Sequence, residues 1–161
     1  SAFGPQSALR RKGGAFVTLK KGGQLRGCIG RIAQPGQADV PPLYETVRRM
    51  SVESATADPR FPPVTAQELK GIEIEISALT PAEPVSGPEG FQVGRHGIII
   101  RKGFSGAVFL PQVATEQGWT RDETLAHLCR KAGLPADEWK RPGMTFHVFT
   151  AEVFGEDALH P

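Results

Sequence analysis

The segment Leu25-Arg26-Gly27-Cys28-Ile29-Gly30 constrains the fold more than any other part of the chain. It places two glycines, a cation and a cysteine in a run that otherwise has the character of a β-strand. Glycine inside a strand adds no side chain to the packing, and it usually marks a bulge or a close approach of backbone or ligand. The segment therefore predicts a strand built around such an approach rather than one built only for packing.

This strand is the second arm of a predicted β-hairpin, whose first arm is the apolar run 14–20. A three-residue turn, Lys21-Gly22-Gly23, is favoured because it gives the hairpin one wholly apolar face. The cross-strand pairs expected in that register are Leu19 with Leu25, Val17 with Gly27 and Ala15 with Ile29. A two-residue turn would instead oppose Lys20 to Leu25. The favoured register places Cys28 beside Arg26 on the other face.

Cys28 and His96 are the two candidate catalytic residues. Cations near a thiol stabilise its thiolate and make it more reactive, so Cys28 close to Arg26 is a candidate for covalent or redox chemistry. His96 lies in the glycine-rich turn Gly94-Arg95-His96-Gly97, where it could take a proton from that thiol. The alternatives stay open: most free cysteines are small buried hydrophobes, and a lone turn histidine usually faces water.

Composition indicates a globular protein and argues against two classes of partner. The chain has 161 residues, 39% of them hydrophobic, with a net charge of +2. That charge is too small for a nucleic-acid footprint, and no apolar run is long enough to span a membrane. Two cysteines do not make a disulfide framework, so we expect a reduced, cytoplasmic protein. We predict a flexible arm at 1–12, a single domain at 13–156 and a tail at 157–161.

The remaining patterns predict an α+β fold with a mainly antiparallel sheet flanked by helices. Helices are expected after Pro41-Pro42, after Pro111 and after Thr120, where Thr120 and Glu123 form a capping-box signature. Strands are expected at 72–76, 98–101 and 106–110, and one terminal strand at 144–154. The segment 81–92 is predicted to be a loop. Helices scattered among hairpins do not give the regular alternation of a doubly wound fold.

Several kinds of chemistry find no support in the sequence. There is no phosphate-binding loop and no dinucleotide glycine fingerprint, and Gly103-Phe104-Ser105-Gly106 falls short of the hydrolase elbow. The four histidines show no ligand spacing with either cysteine. We therefore predict neither a metal nor a cofactor. Cys129 falls on the apolar face of its helix and is predicted to pack in the core.

Several motifs in order resemble the AMMECR domain family, known in microbes as AmmeMemoRadiSam system protein A. The resemblance covers residues 13 to 156 and is carried by five segments: Gly14–Leu19 with Leu25–Gly30, Asp58–Val64, Gly94–Gly97, Phe109–Ala114 and Lys131–Leu134. It implies an α+β domain with a larger and a smaller lobe and a cleft near the Cys28 strand. It also implies a setting beside a Memo-like protein and a radical-SAM enzyme, without an established reaction. Members usually carry a helix before the first strand, where a short arm stands here.

Two functions from different classes are compatible with this chain, and whether it is an enzyme stays open. In one, Cys28 takes part in thiol chemistry; in the other, the domain binds a small anionic ligand, a peptide or the other system members, and Cys28 is structural. We expect the charged turns and the Cys28 strand to converge on one cleft, since binding groups concentrate on loops held by a scaffold. The candidate binding residues are Arg26, Gly27, Gly30, Asp58, Arg60 and Arg95.

Overall fold

The computed structural model describes residues 8–156, which form two compact units. Among the described residues, the first unit contains 8–81 and 152–156, and the second spans Ala82–Ala151. The predicted tail at 157–161 and most of the predicted arm lie outside the described residues. In chain order the elements are β1 (Ala15–Lys21), β2 (Gln24–Arg31), α1 (Leu43–Thr56), β3 (Ile72–Leu79), β4 (Glu83–Val85), β5 (Gly97–Lys102), β6 (Ser105–Phe109), α2 (Pro111–Gln117), α3 (Arg121–Lys131), β7 (Thr145–Phe149) and β8 (Ala151–Gly155).

The predicted α+β class is confirmed by two four-stranded antiparallel sheets and three α-helices within residues 8–156. The first sheet has the order β2-β1-β3-β8 and the second the order β4-β7-β5-β6. The prediction of one terminal strand is wrong. The extended segment is interrupted at Thr150, and the strands on either side of it, β7 and β8, belong to different sheets. The strand β4 lies inside the segment that was expected to be a loop. It contains Pro84 and stands at a sheet edge, where a missing N–H is tolerated.

The predicted register of the first hairpin is wrong. Lys21 pairs with Gln24 and Lys20 with Leu25, so the turn has two residues, Gly22 and Gly23, with φ of 58° and 77°. Positive φ at both positions is the backbone of the type I′ turn that strand twist favours. The pairing then shifts by one residue, because Leu19 faces Gly27 and leaves Arg26 as the extra residue of a bulge.

The bulge restores the apolar face that the two-residue turn would otherwise have disrupted. Beyond it, Val17 pairs with Ile29 and Thr18 with Cys28. Val17 and Leu19 are buried and pack against Met50 of α1. Cys28 and Thr18 alternate with these residues, so the thiol lies on the sheet face away from α1, although the register from which that face was predicted is wrong.

Helix α1 is joined to the hairpin by a serine that enters the strand ladder. Ser54 accepts a hydrogen bond from the Ile29 N–H and donates one to the Val17 carbonyl, both at 2.8 Å. Its hydroxyl therefore bridges the two paired residues. This contact needs a helix very close to β2, and a Cβ built on Gly27 would lie 2.1 Å from the Ser54 carbonyl oxygen. Gly27 is thus required by helix packing.

The second unit buries one side of its sheet under α3. Buried side chains from β5, β7 and α3 form its core, namely Ile98, Ile100, Phe146, Val148, Leu125, Leu128 and Cys129. The predicted capping box is confirmed, since Thr120 accepts the Glu123 N–H and Glu123 accepts the Thr120 N–H. Cys129 is fully buried, as predicted. The described residues include no helix that is long and apolar enough to cross a membrane.

Candidate functional site

The Asp58 and Arg60 side chains cover the free edge of β2 at Cys28. β2 is the terminal strand of its sheet, so the peptide groups of alternate residues point away from β1. Asp58 Oδ2 accepts the Cys28 N–H at 2.9 Å, and Arg60 Nη2 donates to the Cys28 carbonyl at 3.4 Å. The two side chains therefore take the place that a neighbouring strand would occupy. An edge covered in this way is protected from pairing with another chain.

Asp58 and Arg60 form a pair with three hydrogen bonds. Asp58 accepts from the Arg60 N–H at 3.0 Å, from Nε at 3.0 Å and from Nη2 at 2.8 Å. The side-chain bonds from Arg60, with the Cys28 N–H next in importance, hold the pKa of Asp58 well below its usual range. The same pairing raises the pKa of Arg60. Asp58 is buried whereas the Arg60 side chain is 56% exposed, so the pair presents its cationic member to solvent.

Arg26, the bulge residue, is committed to the structure of the 58–68 loop. Its Nε and Nη2 donate to the two oxygens of Glu68 at 3.0 and 3.1 Å, a bidentate pair. The same guanidinium donates to the carbonyls of Pro62 at 2.9 Å and Pro63 at 3.3 Å. Hydrogen bonds from Arg26 are the largest cause of a pKa of Glu68 well below its usual range. Only 12% of the Arg26 side chain is exposed, so its charge is used to hold the 58–68 loop and not to contact solvent.

The Cys28 thiol is partly exposed and unpaired with the other cysteine. Its Sγ lies 3.4 Å from the Thr18 hydroxyl on the adjacent strand. Lys20 and Glu75 continue the same face, joined by an ion pair of 3.2 Å. Gly30 is also on this face, where a Cβ would lie 2.1 Å from the ring of Phe16. The thiol therefore lies on a sheet face that carries both polar and aromatic side chains.

Arg95 and His96 belong to the second unit, in the turn that precedes β5. The Gln92 N–H donates to His96 Nδ1 at 3.1 Å, and Arg95 Nη1 lies 3.5 Å from Gln92 Oε1. Partial burial lowers the pKa of His96, and the nearby Arg95 charge lowers it further, while Glu83 acts in the opposite sense. The expected convergence of His96 with Cys28 would join residues of the two units and stays a prediction.

The structure therefore brings together part of the predicted site. Cys28, Asp58 and Arg60 are in direct contact, and Gly27 and Gly30 lie on the same strand. Arg26 is engaged by Glu68, which the sequence analysis did not single out. The pattern Thr65-x-x-Glu68 was a usable signal, since Thr65 and Glu68 form reciprocal bonds like those of a capping box. Within residues 8–156 no three His, Cys, Asp or Glu side chains are grouped to hold a metal ion.

Comparison with known proteins identifies the family of this α+β domain. The AMMECR1 family model matches residues 3–154, so the chain belongs to the AMMECR1 family. Protein MK0488 of Methanopyrus kandleri is 44% identical over 162 residues, which cover 95% of this chain and 76% of that protein. A Methanothermobacter thermautotrophicus protein is 44% identical over 155 residues, covering 92% and 78% respectively.

A solved structure supports the same assignment. The crystal structure of the uncharacterized protein PH0010 from Pyrococcus horikoshii is 41% identical in sequence and superposes with a TM-score of 0.76. It covers 93% of this chain, and the chain covers 76% of it. The family resemblance inferred from the motifs is therefore confirmed.

Proposed function

We propose that this protein is a binding component of a microbial multiprotein system, working with a Memo-like protein and a radical-SAM enzyme through the surface around Cys28. The partners come from the family resemblance, and the surface comes from the structure. The observation that supports this surface is the position of Cys28. Its peptide groups are held by Asp58 and Arg60, while its thiol stays partly exposed beside Thr18.

Binding fits this geometry better than catalysis by Cys28. A reactive thiolate needs cations that are free to stabilise it, and each of the two arginines is paired with a carboxylate. The Thr18 hydroxyl, which contacts the thiol, is not a general base near neutral pH. A partner or ligand that rests on this face would instead find a rigid surface with a polar row of Thr18, Lys20 and Glu75. The free thiols also fit a reducing, cytoplasmic setting.

A covalent role for Cys28 is the second candidate, and the accessible thiol favours it. In that case the thiol would add to an electrophilic double bond in a product of the radical-SAM partner, so that the S–H bond breaks, a C–S bond forms and the proton moves to the other atom of the double bond. Intact-mass measurement of the purified protein, with and without that partner, separates the two candidates. An added mass that is absent from Cys28→Ser supports the covalent role, and unchanged mass together with stable binding supports the binding component.

The binding surface itself is tested by placing the same side chain on two faces of the first unit. Thr18→Lys puts a long cation beside Cys28, whereas Val52→Lys changes an α1 residue that is 60% exposed. We expect Thr18→Lys to weaken co-purification with the Memo-like protein or the radical-SAM enzyme by about tenfold or more, as a clash at an interface core does. Val52→Lys is the matched control and should bind normally. Equal binding by both variants, or no binding by the unmodified protein, would contradict the proposal.

A further inference from the structure

The turn before β5 fixes the protonation pattern of the His96 ring. A backbone N–H can only donate, so the ring atom that faces the Gln92 N–H has to be an acceptor. That atom is Nδ1, at 3.1 Å, and it therefore carries no hydrogen. In the neutral ring the hydrogen must then be on Nε2. Turning the ring over would place a carbon against Gln92 and leave its N–H without this partner, so the hydrogen bond selects the orientation as well.

This tautomer turns His96 into a hydrogen-bond donor. The Gln92 N–H occupies Nδ1, and among the hydrogen bonds of residues 8–156 none involves Nε2. To act as a base through Nε2, the ring would have to move its hydrogen to Nδ1 and give up the Gln92 bond. Partial burial and the charge of Arg95 lower the pKa of His96, so they favour the neutral ring. Glu83 acts in the opposite sense but is the smaller influence.

The backbone holds this donor in a rigid turn. The Gln92 carbonyl accepts the N–H of Arg95 at 3.3 Å and that of His96 at 3.0 Å. Gly94 has φ of 86°, a conformation that other residues rarely adopt. On the other side of His96, a Cβ on Gly97 would lie 2.2 Å from the ring of Phe149. The turn backbone is therefore closed by hydrogen bonds and packed against β7, and the Gln92 N–H holds the ring by Nδ1.

Arg95, the residue before His96, carries a second group of donors, one of which, Nη1, lies 3.5 Å from Gln92 Oε1. Its side chain is exposed, and among the ion pairs found within residues 8–156 none involves Arg95. In this it differs from Arg26 and Arg60, whose charges are matched by Glu68 and Asp58. A guanidinium presents several N–H groups and suits carboxylate or phosphate oxygens.

We propose that the 92–96 turn is an oxyanion-binding site, in which His96 donates its Nε2–H and Arg95 its guanidinium to a carboxylate or phosphate group of the ligand. This goes beyond the proposed function, because it concerns the second unit and gives His96 a binding role in place of a role as base.

The first test is the tautomer itself. Nitrogen-15 NMR of the histidine rings in the full chain distinguishes Nε2–H from Nδ1–H directly. We expect His96, assigned through His96→Asn, to show the Nε2–H pattern at pH 7. A protonated Nδ1 in the neutral ring would overturn the proposal.

The second test titrates inorganic phosphate and acetate into the same sample at constant ionic strength. Saturable shifts of the His96 ring are expected with at least one anion, and the tighter one tells a phosphate-bearing ligand from a carboxylate. Arg95→Gln should weaken that binding about tenfold, the usual effect of losing one charge-assisted bond. Arg121→Gln, an exposed arginine of the same unit, is the matched control and should leave it unchanged. Shifts with neither anion, or the same affinity in Arg95→Gln, would overturn the proposal.

Two substitutions of His96 separate its inward and outward nitrogens. The Oδ1 of His96→Asn can accept the Gln92 N–H as Nδ1 does, but the side chain lacks the outward donor. His96→Gln reaches the position of Nε2 with an N–H and loses the inward acceptor. We expect His96→Asn to keep the melting temperature and lose phosphate and acetate binding, and His96→Gln to retain more of it. Full binding by His96→Asn would contradict the donor role, whatever the stability of His96→Gln.

Discussion

The Asp58 carboxylate accepts the Cys28 N–H at 2.9 Å across 30 residues of sequence. This bond fastens the loop that follows α1 to the edge of β2, and Arg60 completes it at the Cys28 carbonyl. Arg26 fastens the far end of the same loop through Glu68. The charged residues predicted to bind a ligand in the first unit thus hold a loop against a strand, and the thiol is the group they leave accessible.

Asp58 should make stability depend on pH in the acid range. Its pKa in the folded protein is below its usual range, whereas an unfolded Asp titrates near about 4. As pH falls below that value the unfolded state binds more protons, so the stabilisation by Asp58 is present above about pH 4 and is lost on further acidification. We expect Asp58→Asn to be less stable than the native chain at pH 7 and the difference to shrink towards pH 2.

Denaturant unfolding of both proteins between about pH 2 and 7 measures this effect. Asp39→Asn, at an exposed loop position of the same unit, is the control and should stay within about 0.5 kcal/mol of the native chain at pH 7. A constant difference between Asp58→Asn and the native chain across the whole pH range would show that the carboxylate contributes through packing and not through its charge.

Ser54 should be more important for stability than its place near a helix end suggests. Replacing it by alanine leaves the Ile29 N–H and the Val17 carbonyl without their bridge in a site where Ser54 is 1% exposed. Unsatisfied buried groups of this kind cost about 1–3 kcal/mol. Ser51→Ala is the matched control, because that hydroxyl bonds within its own helix to the Val47 carbonyl. Similar denaturation midpoints for the two variants would argue against the bridge.

The sequence was sufficient for elements whose signals are local. The capping box at Thr120 and the apolar face that buries Cys129 both follow from spacing within one helix. The hairpin shows the limit of that reasoning. If the strands pair without a bulge, the hairpin has two possible registers, one with a two-residue turn and one with a three-residue turn. Grouping the apolar residues on one face favoured the three-residue turn, which is wrong. The bulge at Arg26 allows the two-residue turn and still keeps Leu19 beside Gly27 on the α1 side. The glycines of the second strand were a signal for a bulge, but they did not show at which residue the pairing would shift.

The candidate site shows a second limit, which concerns the partners of charged residues. Arg26 and Arg60 were predicted to bind a ligand because the sequence does not show which carboxylates pair with them in the folded protein. Arg60 pairs with Asp58, which is only two residues away in the sequence. Arg26 pairs with Glu68, 42 residues along the chain, and only the folded loop creates that contact. Long-range ion pairs therefore decide which predicted binding residues stay available.

A substitution at Gly27 tests whether α1 packs directly against the backbone of β2. Alanine at this position would place Cβ 2.1 Å from the Ser54 carbonyl oxygen, a backbone atom of α1 that cannot rotate away. Overpacking of this kind costs about 1–3 kcal/mol. Gly71→Ala is the control, since a Cβ at Gly71 meets nothing within 4 Å, and it should be neutral or stabilising by up to about 1 kcal/mol. Chemical denaturation of the two variants gives the comparison, and equal stabilities would refute the packing role of Gly27.

The two cysteines should differ sharply in their reaction with thiol reagents. Cys129 is fully buried, and burial is the main cause that raises the pKa of its thiol, so it can react only when the second unit opens. Cys28 is partly exposed and contacts solvent without opening. We expect iodoacetamide to modify Cys28 about 100-fold faster or more, a ratio set by the free energy of local opening. Peptide mapping by mass spectrometry after timed exposure assigns each modification to its residue.

Two variants make this labelling experiment decisive about the Cys28 environment. Cys28→Ser should abolish the fast modification and leave the slow one unchanged. Asp58→Asn removes the anchor of the loop that covers the Cys28 peptide group, so the fast rate should rise further if the loop also restricts access to the sulfur. Thr18→Val removes the hydroxyl at 3.4 Å from the sulfur while keeping the shape of the side chain, and it isolates the effect of that one contact. Fast labelling of Cys129 in the native chain, with Cys28 protected, would reverse the assignment of the exposed thiol and remove the main support for a functional surface around Cys28.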